Sequence, residues 1–203
     1  MPGPPVRLAL KFTPGDTFRY TDYVLDQYGF PIADSTQQET WRVVGTNQIY
    51  RGFSGVVVIA DSIGAGEYDT LRFAVTAQGD LFQYGFIADL LGRIEGLSLA
   101  PQWDSLAAFS LGFNNSWVLT GGDTTADEKT VGVITGEVDY FSVAVNGVPT
   151  AYATYRVELT RSDVEHDFWV SDAPTSFASF REDVVLSPFA HLRLLTSLNS
   201  ASP

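Results

Sequence analysis

The sequence of 203 residues contains no cysteine. That absence excludes disulfide bonds, thiolate metal sites, a cysteine nucleophile and a lipid-anchoring cysteine within this chain. There is also no run of 18 apolar residues, so no segment is long enough to cross a bilayer as a helix. A chain of this length buries roughly 70% of the surface that it exposes when unfolded, so it needs no crosslink to hold a core.

Basic residues are scarce. Twelve Lys and Arg stand against 24 Asp and Glu, which leaves a formal net charge of −12. A field of that sign repels phosphate backbones and anionic lipid headgroups, so nucleic-acid binding and membrane-surface binding are both disfavoured. The same charge favours solubility, and it is compatible with a cation or a basic partner.

The first five residues, Met1-Pro2-Gly3-Pro4-Pro5, are typical neither of a signal peptide nor of a folded element. We expect an extended N-terminal segment, left after removal of a signal peptide, in a protein that lies outside the cytoplasm, in the periplasm or at the cell surface. Because no internal repeat or linker interrupts the rest of the sequence, residues 1–203 are predicted to form a single β domain.

Alternation of apolar and polar residues dominates the sequence and predicts ten or eleven strands. Strands are expected at residues 6–12, 17–28 and 37–44. The β-branched run Val56-Val57-Val58-Ile59 predicts a central strand that is buried on both faces. Asn146-Gly147, with valines on both sides, is the strongest hairpin signal in the chain.

The spacing changes at residues 86–94, where apolar residues recur at helical intervals and predict one short helix. Residues 98–113 are expected to form an irregular connection anchored by Trp103 and Phe109. So many strands with a single helix predict a mainly all-β fold. We expect a large curved antiparallel sheet, half-barrel or barrel-like, wrapped around the helix. A β-sandwich is the alternative architecture.

Three stretches carry a resemblance to known proteins. Residues 12–20 have the sequence F-T-P-G-D-T-F-R-Y, residues 155–159 have Y-R-V-E-L, and residues 168–171 have F-W-V-S. Together they resemble exported bacterial half-barrel β-sheet proteins, broadly similar to periplasmic lipoprotein carriers. The resemblance implies an extracytoplasmic half-barrel and no catalytic residues. The carriers use a basic surface and, in one branch, a lipid-anchored cysteine, both of which this chain lacks.

Groups that could carry chemistry are few. His166 stands between Glu165 and Asp167, but adjacent residues on a strand point to opposite faces, so we expect no catalytic pairing of this histidine with either acid. Asp123, Thr125 and Asp127 alternate in a glycine-led loop, which presents oxygen ligands in an order that Ca²⁺ accepts. A structural calcium site is one interpretation and a solvated acidic loop is the other. No cofactor is expected.

Aromatic residues are abundant, with 14 Phe, nine Tyr and four Trp. They exceed what a core of this size requires, and tyrosine suits both ligand stacking and protein interfaces. The alternative is that the surplus rings cover the outer face of the sheet. The residues that we expect to reach the surface or line a concavity, and so to bind a ligand, are Tyr23, Tyr28, Tyr50, Tyr84, Phe86 and Leu90.

These features favour a non-enzymatic, extracytoplasmic β domain that assembles with other protein subunits, as a structural component of a cell-envelope or surface complex. The N-terminal segment could contribute by adding a strand to a neighbour's sheet. The alternative is a periplasmic carrier or binding protein that holds a lipid-like or other apolar ligand in its curved sheet.

Overall fold

The computed structural model describes residues 12–202, apart from residues 27, 29, 64–66, 96–97, 120–128, 162–163, 171–176 and 188–189. From residue 177 onward, and at a few other positions that include Tyr23, the description covers the backbone alone. The predicted N-terminal segment, most of the predicted strand at residues 6–12 and the candidate calcium loop lie outside the described residues.

Strands make up most of the described chain. The first half contains β1 Thr17–Leu25, β2 Gln37–Tyr50, β3 Phe53–Ile63, β4 Glu67–Val75, β5 Leu81–Tyr84, the helix α1 Phe86–Glu95 and β6 Trp103–Ala107. A short 3₁₀ turn, Phe109–Leu111, follows β6. The second half contains β7 Ser116–Val118, β8 Val131–Val145, β9 Val148–Arg161, β10 Val164–Val170, β11 Phe177–Ser187 and β12 Ala190–Ser202.

The twelve strands of the described residues form one sheet in the order β6-β5-β4-β3-β2-β1-β12-β11-β10-β9-β8-β7. Neighbours in this order are antiparallel, and β8 makes a further short parallel pairing with β12. The strands at the two ends of the order also meet, because the indole N–H of Trp117 in β7 donates to the backbone oxygen of Ser105 in β6 at 2.8 Å. The predicted large curved antiparallel sheet, half-barrel or barrel-like and with one short helix, is confirmed, and the sandwich is not the architecture adopted.

The helix identifies the two faces of the sheet. Phe86, Ile87 and Leu90 of α1 are buried in the main core together with Val57 and Ile59 of β3. We call the face of the sheet that meets α1 the inner face, and the opposite one the outer face.

Successive residues of β3 alternate between these faces. Val56 and Val58 belong to a second, smaller cluster on the outer face. The prediction that residues 56–59 are buried on both sides is therefore confirmed.

Two local predictions agree with the structure in detail. The helix predicted at residues 86–94 is α1. It begins where Asp104 of β6 accepts the backbone N–H of Ile87 at 2.9 Å, so a carboxylate satisfies a donor of the first turn. At the predicted hairpin, Asn146 and Gly147 take positive φ angles of 48° and 81°, which are the values that a two-residue turn between antiparallel strands requires.

Two other predictions were wrong. The strand predicted to reach residue 28 ends at Leu25, because the side chain of Asp26 hydrogen-bonds the backbone that follows and turns the chain. Residues 98–113 are not irregular throughout, since they contain β6 and the 3₁₀ turn. Phe109 does anchor this segment in the main core, whereas Trp103 packs on the outer face.

Candidate functional site

The connection from β1 to β2 is a turn held by hydrogen bonds. The carboxylate of Asp26 accepts the backbone N–H groups of Tyr28 at 2.8 Å and of Phe30 at 2.9 Å. The N–H of Asp26 in turn donates to the backbone oxygen of Phe30 at 2.8 Å. Just before β2, the Ser35 hydroxyl donates to the backbone oxygen of Ile32 at 2.7 Å. We call the described residues between 26 and 34 the tip.

The tip presents large apolar side chains to solvent. Tyr28 is 75% exposed, Phe30 68% and Ile32 46%. Scattered exposed apolar residues are ordinary on protein surfaces, whereas a concentration of them on one short turn is typical of an interaction site. Because the backbone of the turn is already hydrogen-bonded, binding a partner there would order few additional groups.

The charged residues of the tip are acidic. Asp26 and Asp34 belong to the tip, and the sequence contains no Lys or Arg between Arg19 and Arg42. Asp34 is exposed and takes a positive φ of 62°. The tip therefore combines aromatic and aliphatic surface with carboxylates.

A second feature lies on the outer face of β2 to β6. Rings from four strands pack against one another there, with centroids 4.6 Å apart for Phe53 and Trp103 and 5.1 Å apart for Phe53 and Phe82. Three of them, Tyr50, Phe53 and Trp103, pack against the small outer cluster of Val56, Val58 and Ala74. We call this set the aromatic face, and its members are Tyr50, Phe53, Phe82, Tyr84 and Trp103.

The aromatic face also carries positive charge. The guanidinium of Arg72 lies 4.6 Å from the centroid of the Tyr50 ring, a favourable cation–π geometry. Arg51 is exposed in the two-residue turn that joins β2 to β3, next to Tyr50 in the sequence and two residues before Phe53. In a chain of net charge −12, this face combines arginine with aromatic rings, which is the composition enriched at binding hot spots.

The six residues predicted to bind a ligand do not form a single site. Tyr50 and Tyr84 meet on the aromatic face, with ring centroids 5.0 Å apart and nearly perpendicular rings. Tyr28 lies at the tip, whereas Phe86 and Leu90 lie in the main core on the inner face. The helix residues are apart from Tyr50 and Tyr84 because the helix covers the other face of the sheet, and Tyr28 is apart from both because it lies in the turn between β1 and β2. The side chain of the sixth residue, Tyr23, lies outside the described part of the chain.

Sequence reasoning missed a pair of buried acids on the inner face. Glu39 of β2 and Asp61 of β3 are 9% and 7% exposed, and their side chains are hydrogen-bonded to each other. The indole N–H of Trp41 donates to Glu39 as well. A signal was present in the sequence: Glu39 alternates in phase with Trp41 and Val43, and Asp61 alternates in phase with Ile59, so strand periodicity directs both acids inward.

Burial controls the protonation of this pair. Desolvation, with the nearby carboxylates of Asp61 and Asp22, raises the pKa of Glu39 to about 9. Desolvation likewise raises the pKa of Asp61 to about 6. Burial also raises the pKa of the neighbouring Tyr20 phenol well above its ordinary value. Near neutral pH the pair therefore keeps a proton between its two carboxyl groups inside the core.

His166 and Asp167 occupy opposite faces of β10, as predicted. His166 is buried on the inner face, with its ring 5.3 Å from that of Phe86. Asp167 pairs with Arg156 at 2.7 Å on the other face. The guanidinium of Arg156 also lies 5.7 Å from the centroid of the Trp169 ring. This arrangement separates the histidine from the carboxylate that a catalytic pairing would need.

Within the described residues, no group of three or more His, Asp or Glu side chains is arranged to hold a metal ion. The loop with Asp123, Thr125 and Asp127 is not among those residues, so a calcium site there stays a prediction. No helix in the described part of the chain is long and apolar enough to cross a membrane.

Comparison with known proteins gives a likeness in fold. No protein-family model matches the chain, and no curated protein matches its sequence. Among solved structures, a protein from Bacteroides fragilis, described as exported and as having a YmcC-like fold, aligns with a TM-score of 0.52 and 9% sequence identity. The alignment covers 98% of this chain and 100% of that one. At this identity the similarity shows that the two chains share a fold over nearly their whole length.

Proposed function

We propose that this protein is a non-enzymatic, extracytoplasmic β domain that assembles with other protein subunits through its tip, as a component of a cell-envelope or surface complex. The observation that carries the proposal is the exposure of Tyr28, Phe30 and Ile32 on a turn whose backbone is held by Asp26. Aromatic side chains on a preorganised turn supply contact area at a low entropic cost.

Two further observations support parts of this proposal. The likeness in fold to a protein described as exported, together with the resemblance to exported half-barrel proteins, supports a location outside the cytoplasm. The separation of His166 from Asp167 and the burial of the Glu39–Asp61 pair support a role that does not depend on catalysis.

Site-specific photo-crosslinking in intact cells of the source organism tests the proposal. A photoreactive phenylalanine analogue is placed at Tyr28 in one strain. In the control strain it is placed at Tyr140, a tyrosine of similar exposure on β8. We expect position 28 to form a covalent adduct with one defined protein, identified by mass spectrometry of the linked peptides, and position 140 not to form that adduct.

Two outcomes would contradict the proposal. One is that position 28 yields no protein adduct beyond that seen at position 140. The other is that native mass spectrometry of the freshly purified protein shows a monomer that retains a lipid-sized adduct, and that crosslinks from position 28 carry only lipid. That second result would favour the alternative role of a carrier for an apolar ligand.

A further inference from the structure

We propose that the protein bound by the tip is a second copy of this chain, and that the aromatic face of the second copy receives it. This inference rests on the proposed assembly function and adds the identity of the partner. Both surfaces consist of described residues, and neither belongs to the main core.

The chemistry of the two surfaces is complementary. The tip offers apolar side chains beside the carboxylates of Asp26 and Asp34. The aromatic face offers half-buried rings, with the guanidinium of Arg72 over the Tyr50 ring and the exposed Arg51 in the adjoining turn. Apolar surface would meet apolar surface, and opposite charges would meet around it, which is the pattern of a specific interface.

Elsewhere, copies of this chain should repel one another, because each carries a net charge of −12. A contact that brings the arginines of one copy to the aspartates of the next lowers that repulsion locally. Long-range electrostatics therefore favour this contact over other ways of bringing two copies together.

The fold prevents the two surfaces of one copy from meeting each other. The tip precedes β2 by two residues, and Tyr50 is the last of the 14 residues of that strand. At about 3.3 Å per residue, the strand separates the two surfaces by roughly 40 Å. Each copy thus has a donor surface at one end of β2 and an acceptor surface at the other.

A contact between different surfaces is heterologous, so it does not stop at a symmetric dimer. Copies joined in this way form a ring if repeating the rotation between neighbours returns to the first copy, and an open filament if it does not. The charged part of the contact should weaken as salt is added, because the arginine and aspartate side chains at its rim are accessible to ions.

A mixing experiment tests the inference. The tip variant Tyr28→Ala/Phe30→Ala keeps an intact aromatic face, and the face variant Arg51→Glu/Arg72→Glu keeps an intact tip. Arg51→Glu alone is a second face variant, because Arg51 is exposed in its turn whereas Arg72 packs on Tyr50. Matched controls are Tyr140→Ala, which removes another exposed tyrosine, and Arg19→Glu, which reverses an exposed charge on β1.

Sedimentation velocity is measured up to about 100 µM, where contacts of micromolar affinity are occupied. We expect the unmodified protein and both controls to form multimers, and each variant alone to be monomeric. Mixed in equal amounts, the tip variant and the face variant should form a dimer and nothing larger, since only one intact pair of surfaces is available.

The inference is overturned if the unmodified protein is monomeric throughout this range, if a variant assembles as the unmodified protein does, or if the mixture stays monomeric. The proposed function fails separately. A crosslink from position 28 to a different protein would leave assembly through the tip in place while removing the second copy as its partner.

Discussion

Glu39 of β2 and Asp61 of β3 lie diagonally across the two strands, and a hydrogen bond joins their carboxyl groups inside the core. Each lies beside a residue of the neighbouring strand, since Tyr20 is paired in register with Glu39 and Trp41 with Asp61. The other acids that act on the pair are Asp22 of β1 and Asp69 of β4.

Replacing Glu39 with Gln should change how stability depends on pH. Both pKa values are raised above those of the unfolded chain, so the folded protein binds more protons. The stability that each carboxyl group contributes is fully present below its ordinary pKa, 3.8 for Asp61 and 4.5 for Glu39. That contribution is lost as pH rises through the raised pKa, about 6 for Asp61 and about 9 for Glu39. One extra bound proton corresponds to about 1.4 kcal/mol per pH unit. Urea unfolding at pH values across this window should show a steep fall for the original chain and a shallower one for Glu39→Gln.

A matched control for that measurement is Glu137→Gln, which neutralises an exposed acid of β8. It should leave the slope of stability against pH unchanged. Asp104, whose pKa burial raises to about 7, adds a contribution of the same sign in both variants. An unfolding free energy of Glu39→Gln that falls as steeply as that of the original chain between pH 6 and pH 9 would show that the pair does not hold the proton.

Removing the side chain of Asp26 should loosen the tip. Asp26→Ala deletes the acceptor for two backbone N–H groups, and we expect a loss of about 1 kcal/mol in the free energy of unfolding. Asp26→Asn keeps a carbonyl oxygen in place and should lose less. By contrast, Tyr28→Ala/Phe30→Ala should change stability by under about 0.5 kcal/mol, because both side chains are exposed. Equal losses of stability for Asp26→Ala and Asp26→Asn would show that the hydrogen bonds accepted by the side chain of residue 26 do not stabilise the turn.

Gly132 of β8 allows the ends of the sheet to meet. A Cβ atom there would lie 2.3 Å from a ring carbon of Trp117, whose indole N–H reaches Ser105 on β6. We expect Gly132→Ala to displace the indole and to cost about 1–3 kcal/mol in thermal or chemical unfolding. The control is Gly136→Ala on the same strand, where the new Cβ would lie at an ordinary 3.5 Å from its nearest neighbour. If the two variants are equally stable, the Trp117 contact does not constrain the sheet.

Asp104 should be needed to start α1. Asp104→Ala leaves the buried N–H of Ile87 without its acceptor, so we expect a loss of about 1–2 kcal/mol in stability. Hydrogen exchange should show faster exchange at the N-terminal turn of the helix. Asp104→Asn retains an oxygen acceptor and serves as the control. Unchanged exchange at residue 87 in the Ala variant would contradict this role.

Local sequence patterns determined a large part of the fold. Alternation with a period of two is a property of neighbouring residues, so it predicted strands such as β3 and the burial of Val56 to Ile59 on both faces. The turn at Asn146-Gly147 and the helix α1 were also predicted, because backbone conformation and helical spacing depend on residues a few positions apart.

The sites depended on contacts between distant residues. β6 was not predicted, because a five-residue strand is defined here by its pairing with β5 and not by its own pattern. Periodicity directed Glu39 and Asp61 inward, but only the register of β2 and β3 brought them into contact.

The sequence by itself determined which segments are extended, which one is helical and which residues point to the same face, because those properties arise within a few bonds along the chain. The tertiary structure alone decided that β1 pairs with β12, that Tyr50 and Tyr84 meet while Tyr28 stands apart, and that two acids share the core. Strand pairing joins residues nearly the whole chain apart, and no pattern within one segment specifies its partner.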